Sequence, residues 1–132
     1  MFSSKKQPPI KSLIAQGTRI EGQVLFHDGL RIDGEVVGDI QAQQGQRSLL
    51  VVSEAASVTG RIQADHVIIN GTVKGPVKAF ELLELQPKAR IEGDVSYKAL
   101  EIHQGATIAG QLQLMDAGAE DKPTLKLAAN NA

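Results

Sequence analysis

The sequence of 132 residues contains no cysteine and no tryptophan, and aromatic residues make up only 3% of it. Without cysteine the chain can form no disulfide, which is compatible with a reducing compartment. Hydrophobic residues nevertheless make up 42% of the chain. A core with so few rings must be filled by many small aliphatic side chains, so the composition indicates a thin structure of repeated aliphatic layers.

Charge of one sign and long apolar runs are also lacking. The formal net charge is -1, so no global basic field would attract nucleic acid as a primary partner. No apolar run approaches the roughly 18 residues of a membrane span. The first residues lack the apolar stretch of a secretory signal peptide. We therefore expect a cytoplasmic protein.

Glycine is abundant, and it recurs in one pattern, aliphatic-x-Gly-x-aliphatic, which appears eight times. The central glycines are Gly22, Gly34, Gly38, Gly60, Gly71, Gly75, Gly93 and Gly110. A longer segment that runs from Leu50 to Gly60 reappears from Leu83 to Gly93, and again from Leu100 to Gly110. The shift of 17 residues corresponds to one repeat of about 16 to 19 residues. The shift of 33, and a further shift of 37 between Gly34 and Gly71, correspond to two such repeats.

Within each repeat the polar and aliphatic residues alternate with period two, which predicts short strands. Strands of three to five residues are not stable as isolated hairpins, but they are stable if the chain coils so that each strand lies on its equivalent one turn earlier. Glycine would supply the tight bends between strands. The sequence therefore predicts an all-β, single-domain parallel β-helix of about six turns over residues 13–115.

Two tails flank the predicted β-helix. Residues 1–12 contain three lysines, no acidic residue and the pair Pro8-Pro9. They are either an inert soluble tail or a membrane-binding segment, in which Met1 and Phe2 enter the lipid boundary and Lys5 and Lys6 contact anionic headgroups. Residues 116–132 have no period and are predicted to be disordered. Within them, residues 123–127 are either inert or a short peptide ligand.

Candidates for chemistry are few. The three histidines, His27, His66 and His103, do not occupy one position of the repeat, so a shared zinc site is not predicted and all three are expected at the solvated surface. Carboxylates such as Glu21 and Glu35 alternate with arginines, which favours stacked charges over an acid–base pair. No nucleophile motif or phosphate-binding loop is present. We expect no enzyme, no cofactor and no metal.

The glycine-punctuated I-x-G-x-V turns, the six-turn length, the start Met1-Phe2-Ser3 with Lys5-Lys6, and the polar C-terminal tail together resemble the bactofilins. The resemblance covers residues 13–115 and the first six residues. It implies a right-handed, triangular β-helix and a cytoskeletal protein that polymerises through its ends without a nucleotide. It also implies association with the inner face of the cytoplasmic membrane, and scaffolding of cell-wall enzymes that shape the cell.

The residues themselves also favour end-to-end assembly. A β-helix carries unpaired backbone groups and open aliphatic layers at both ends, and these can pair with another copy of the chain. We expect the first turn to be lined by two residues and the last turn by four, and these form the predicted polymer interface: Leu13, Ile14, Ile108, Leu112, Leu114 and Met115.

Two alternatives remain. A left-handed β-helix enzyme, of the acyltransferase or carbonic anhydrase type, would use a hexapeptide repeat. Spacings of six occur between Val52 and Val58 but do not continue around the turn. The other alternative is a cell-surface or binding β-solenoid, and the missing signal peptide argues against it. Filaments in electron micrographs would favour the scaffold, and compact trimers the enzyme.

Overall fold

The computed structural model describes residues 8–115, and this range is all-β with no helix. Met1, Phe2, Lys5, Lys6 and the C-terminal residues 116–132 lie outside the described residues. The strands, in chain order, are β1 Ile10–Ile14, β2 Arg19–Glu21, β3 Val24–Phe26, β4 Asp28–Ile32, β5 Glu35–Val37, β6 Ile40–Ala42, β7 Ser48–Val52, β8 Ser57–Thr59, β9 Ile62–Ile69, β10 Thr72–Lys74, β11 Val77–Leu85, β12 Arg90–Glu92, β13 Val95–Tyr97, β14 Leu100–Ile102, β15 Thr107–Ala109 and β16 Leu112–Leu114.

The strands stack as a parallel β-solenoid of six turns, which confirms the predicted fold. One sheet has the order β2-β5-β8-β10-β12-β15, with one strand from each turn. The other strands form a ten-stranded sheet that covers the remaining sides. Every strand pairing within the described residues is parallel. The chain therefore returns to the same side of the molecule once per turn.

Turn length explains the unequal shifts in the sequence. On the six-stranded sheet, Val36 pairs with Val58 and Val58 pairs with Val73, so each of these pairs marks one full turn. The turn from Val36 to Val58 is the longer of the two, because it contains the loop of residues 43–47 between β6 and β7. The shifts from Leu50 to Leu83 and from Gly34 to Gly71 each span two turns, whereas the shift from Leu83 to Leu100 spans one.

The core consists of aliphatic columns that run along the axis. One column places Ile14, Ile32, Val52, Ile69, Leu85 and Ile102 in register. A second places Val24, Ile40, Ile62, Val77, Val95 and Leu112 in register. The central members of both columns are fully buried. Each such side chain contributes roughly 2 kcal/mol through burial, so the stack is stabilised mainly by contacts between consecutive turns.

A column of glycines forms one corner of the solenoid. Gly38 has a φ of 148°, a conformation that side-chain-bearing residues rarely adopt. A Cβ atom at Gly38 would lie 2.0 Å from the carbonyl oxygen of Gly22 in the preceding turn, and one at Gly60 would lie 2.1 Å from the carbonyl oxygen of Gly38. Glycine at this corner is therefore required both by φ and by the close approach of the next backbone.

Candidate assembly interface

The C-terminal end of the solenoid is an open apolar layer. Strands β14, β15 and β16 form the sixth turn, and each pairs with a strand of the fifth turn and with no other described strand. Ile102, Leu112 and Leu114 are 48%, 49% and 65% exposed, although the register places them above Leu85, Val95 and Tyr97. They are thus core positions for which the described residues supply no covering turn.

The four residues predicted for this end all lie in or directly after the sixth turn. Ile108 is half-buried and continues the column of Ile91. Met115 is half-buried, and its backbone N–H donates to the carbonyl oxygen of Tyr97 at 2.6 Å. The structure therefore brings Ile108, Leu112, Leu114 and Met115 to one end of the stack.

At the N-terminal end the structure separates the two predicted residues. Ile14 is buried in register with Ile32, whereas Leu13 is 57% exposed in register with the exposed Arg31. Because neighbouring strand residues point to opposite faces, Leu13 lies on the outer side of the solenoid. The expectation that Leu13 lines the first turn was therefore wrong. Ile20 and Val24, both half-buried, take inward positions beside Ile14.

The flanks of the solenoid carry charge, as the alternating sequence predicted. Arg19 on β2 lies 2.8 Å from Glu21 in its own strand and 3.4 Å from Glu35 in the next turn. Lys88 lies 2.9 Å from Glu54. Exposed pairs of this kind contribute about 0 to 1 kcal/mol each, so they stabilise the fold little. Their main effect is to add charge to the sides of the solenoid.

The histidines occupy three different environments. His27 is exposed and lies 3.4 Å from Asp28. His66 is buried at 8% exposure, so the prediction that all three lie at the solvated surface was wrong. Burial lowers the pKa of His66, and the carboxylates of Glu84, Glu81 and Glu101 oppose that shift. The reason for its burial is local: β9 buries both His66 and Val67, which breaks the alternation at a corner.

The third histidine belongs to a cluster that the sequence reasoning missed. Glu84, Glu101 and His103 place one ligand-type atom each within 4.8 Å of one another. Glu84 and Glu101 are register partners on β11 and β14. The signal was present in the sequence, because the repeat that aligns Leu83 with Leu100 also aligns these two glutamates.

A surface groove of about 370 Å³ lies beside the loop of residues 43–47 and is lined by His27, Gln43, Gln44, Gly45 and Gln46. These lining residues include no nucleophile next to a base, the arrangement used in covalent acyl transfer. The described range also contains no helix that is long and apolar enough to cross a membrane.

Comparison with known proteins agrees with this geometry. The family model for bactofilin, described as polymer-forming cytoskeletal, matches residues 12–113. Bactofilin BacO of Myxococcus xanthus (strain DK1622) is 27% identical over 103 residues, which cover 78% of this chain and 79% of BacO. Bactofilin BacP of the same organism is 24% identical over 105 residues, which cover 80% of this chain and 42% of BacP. The match thus spans less than half the length of BacP.

No solved structure gives a significant match. The family model, in contrast, covers nearly the whole solenoid, from β1 to β16. Its description as polymer-forming fits a six-turn stack whose described residues leave an open apolar layer at the C-terminal end. The chain belongs to the bactofilin family of polymer-forming cytoskeletal proteins.

Proposed function

We propose that this protein assembles end to end into filaments, without a nucleotide, on the cytoplasmic face of the membrane, where the polymer organises peptidoglycan machinery and cell shape. The observation that carries end-to-end assembly is the open C-terminal layer of Ile102, Leu112 and Leu114, at positions that are occupied in the preceding turn by the buried Leu85 and Val95 and the half-buried Tyr97. A second copy of the chain that stacks on this layer would extend the same columns.

The driving force of such a junction would be apolar burial and strand pairing. Covering Ile102, Leu112 and Leu114 would contribute about 1 kcal/mol for each side chain. Edge-strand N–H and C=O groups would add about 1 kcal/mol for each hydrogen bond formed. Since association costs at least about 4 kcal/mol, both contributions are needed for a stable junction. Neither contribution requires a bound nucleotide.

Leu114→Arg tests the interface. A charged side chain at this end would leave a cation in an apolar junction, so we expect the amount of sedimented polymer to fall at least tenfold, with few filaments in electron micrographs. Gln113→Arg is the matched control. Gln113 is the neighbouring exposed residue of β16, in register with Ser96 on the outer side, and its substitution adds the same charge away from the columns. Persistent filaments of Leu114→Arg would overturn the proposed interface.

Membrane binding is proposed for Met1, Phe2, Lys5 and Lys6, which lie outside the described residues. Its support is the apolar pair followed by lysines without an acidic neighbour. Phe2 would contribute about 2 kcal/mol and each lysine about 1 kcal/mol, so a single tail would bind weakly. A polymer would bind firmly, because it presents many tails at once.

A liposome flotation assay separates the contribution of the tail from that of the polymer. Phe2→Ala combined with Lys5→Glu and Lys6→Glu should release filaments from anionic vesicles. Leu114→Arg, with an intact tail, should also reduce flotation because the subunits no longer bind as an array. Unchanged flotation of the tail variant would overturn the proposed membrane contact, and it would leave end-to-end assembly to be judged by sedimentation.

The cell-wall role rests on family resemblance, and its test is cellular. If the filament is the working form, Leu114→Arg should redistribute newly labelled peptidoglycan and alter cell shape as much as deletion of the protein does. Gln113→Arg should restore the wild-type pattern. Normal labelling in the deletion strain would overturn this role without affecting the proposed assembly.

A further inference from the structure

The cluster of Glu84, Glu101 and His103 lies on the outer side of the fifth and sixth turns. Glu84 and Glu101 are direct register partners on β11 and β14, and His103 follows β14 immediately. Two like charges opposite each other on adjacent strands destabilise a sheet. The pair therefore places a local concentration of negative charge at the junction that holds the last turn in place.

The distances within the cluster suit a metal ion. The Nε2 atom of His103 lies 3.2 Å from a carboxylate oxygen of Glu101 and 3.4 Å from a carboxylate oxygen of Glu84. Ligands bound tetrahedrally to Zn²⁺ at 2.0–2.1 Å are separated from one another by about 3.3 Å. The two distances from His103 thus match such a site, and all three ligand atoms lie within 4.8 Å of one another.

The direction of the nitrogen supports the same conclusion independently. The Nε2 atom of His103 is buried and makes no hydrogen bond, although two carboxylate oxygens lie within 3.4 Å. Neither oxygen therefore lies on the axis along which this nitrogen would donate or accept. In a tetrahedral site, the line from one ligand atom to the metal ion and the line from that atom to a second ligand atom enclose an angle of about 35°.

The surrounding contacts hold the ligands in place. The side-chain N–H of Gln86 donates to the carboxylate of Glu84 at 2.6 Å. The backbone N–H of His103 donates to the carbonyl oxygen of Leu85 at 2.8 Å, and its own carbonyl accepts from the N–H of Ala106. Carboxylates that bind a metal are commonly held by a hydrogen bond of this kind, and the backbone bonds fix the position from which His103 extends.

We propose that Glu84, Glu101 and His103 bind a divalent transition-metal ion of the Zn²⁺ class and that this ion fastens the sixth turn to the fifth. Two carboxylates and one imidazole supply three ligands, and a water molecule completes the coordination. The ion would neutralise the opposed glutamates and cross-link β11 to β14. It would thereby steady the turn that presents Leu112 and Leu114, whether or not that turn is the polymer interface.

The first test uses Co²⁺ as a spectroscopic probe on the full-length chain. Wild-type protein should give the visible absorption of tetrahedral Co²⁺, and Zn²⁺ should displace it at one equivalent. His103→Gln and Glu101→Gln should each weaken binding at least tenfold. His27→Gln is the matched control, because His27 is an exposed histidine beside a single carboxylate, and it should bind as the wild type does. Equal binding by His103→Gln would overturn the assignment.

The second test measures hydrogen exchange, and it separates a metal site from a protonated histidine between two glutamates. With Zn²⁺, amides of β14 should exchange at least tenfold more slowly in the wild type and in His27→Gln, but not in Glu101→Gln. Without metal, Glu101→Gln should leave β14 equally or better protected, because it removes the repulsion from Glu84. A loss of protection in metal-free Glu101→Gln, with no effect of Zn²⁺ on the wild type, would show an ion pair and overturn the proposal.

Discussion

Strand β9, in the interior of the stack, and the sixth turn carry the same kinds of residue at the same positions, yet they differ in what lies above them. Ile69 of β9 and Ile102 of β14 belong to one column, and Ile62 of β9 and Leu112 of β16 belong to another. The two in β9 are fully buried, whereas the two in the sixth turn are about half exposed. The amino-acid pattern therefore encodes a stack, and for an inward-facing side chain the position in the stack decides whether it is core or surface.

This difference has a consequence for assembly. An interior turn is stabilised from both sides, whereas an end turn is stabilised from one side and retains unpaired strand edges. Repeat proteins of this kind usually require end turns with polar outer surfaces for solubility. The sixth turn keeps Leu112 and Leu114 instead, which is the arrangement expected of a protein that completes its ends by stacking.

Substitutions at the glycine corner should give the largest difference in stability between an interior turn and an end turn. Gly60→Ala places a Cβ atom 2.1 Å from the carbonyl oxygen of Gly38, so we expect it to lower the free energy of unfolding by about 3 kcal/mol or more. Gly22→Ala shares the positive φ but meets no atom within 4 Å, because Gly22 lies in the first turn. It should cost only about 1–2 kcal/mol from backbone strain. Chemical denaturation of dispersed protein measures both, and equal costs would contradict the assigned role of the close approach.

The aliphatic column gives the second comparison. Ile69→Ala should lower the free energy of unfolding by about 3 kcal/mol, because it leaves a cavity between turns that cannot collapse fully. Ile102→Ala should cost roughly 1 kcal/mol or less in dispersed protein, because half of its surface already faces solvent. In polymerising protein, Ile102→Ala should raise the concentration needed for sedimentation.

The cost of Ile102→Ala also shows whether the C-terminal end is covered in the monomer. If Ile102→Ala costs as much as Ile69→Ala in protein that sediments as a monomer, the sixth turn is covered in the monomer itself. Residues 116–132 would then be the candidate cover, and truncation after Met115 should lower the cost of Ile102→Ala to roughly 1 kcal/mol or less. Proposed assembly through this layer would fail in that case.

Much of the solenoid could be predicted because the same residue types recur at the same positions of each turn. The recurring leucine-to-glycine segment, the glycine corners and the outward charges each follow from one repeating turn, so the six turns and most inward positions could be read directly. The loop of residues 43–47 could not, because a polar insertion between β6 and β7 leaves no periodic signal. It lengthens one turn without disturbing the register of Val36 with Val58.

Other errors arose where two neighbouring residues were equally suited to one position. Leu13 and Ile14 are both aliphatic, and only one of two adjacent strand residues can face inward; the register with Arg31 and Ile32 decides the choice. His66 is buried because β9 breaks alternation at a corner, and the register between β9 and β11 shifts between Ala79 and Leu82. Such irregularities depend on how turns fit one another, so a single repeat does not reveal them.

His66 and His27 provide the last and smallest contrast, between a buried and an exposed histidine. Burial lowers the pKa of His66, and the charge of Arg47 acts in the same direction, while Glu84, Glu81 and Glu101 act against it. The folded state therefore binds a proton at His66 less readily than the unfolded chain, whose histidines titrate near pH 6.5. Stability should be complete above that pH and should decline as the pH falls below it, because the unfolded state takes up the proton first.

His66→Gln should flatten this decline below about pH 6.5, because the substituted side chain does not titrate. His27→Gln is the control and should retain the slope, since it replaces a histidine but leaves His66 in place. Denaturation midpoints at several pH values measure the slope, and the ring-proton NMR titration of His66 measures its pKa directly. A His66 pKa at or above 6.5, or an equal slope in both variants, would mean that its neighbouring carboxylates outweigh its burial. The interior of the stack around β9 would then accommodate a protonated histidine.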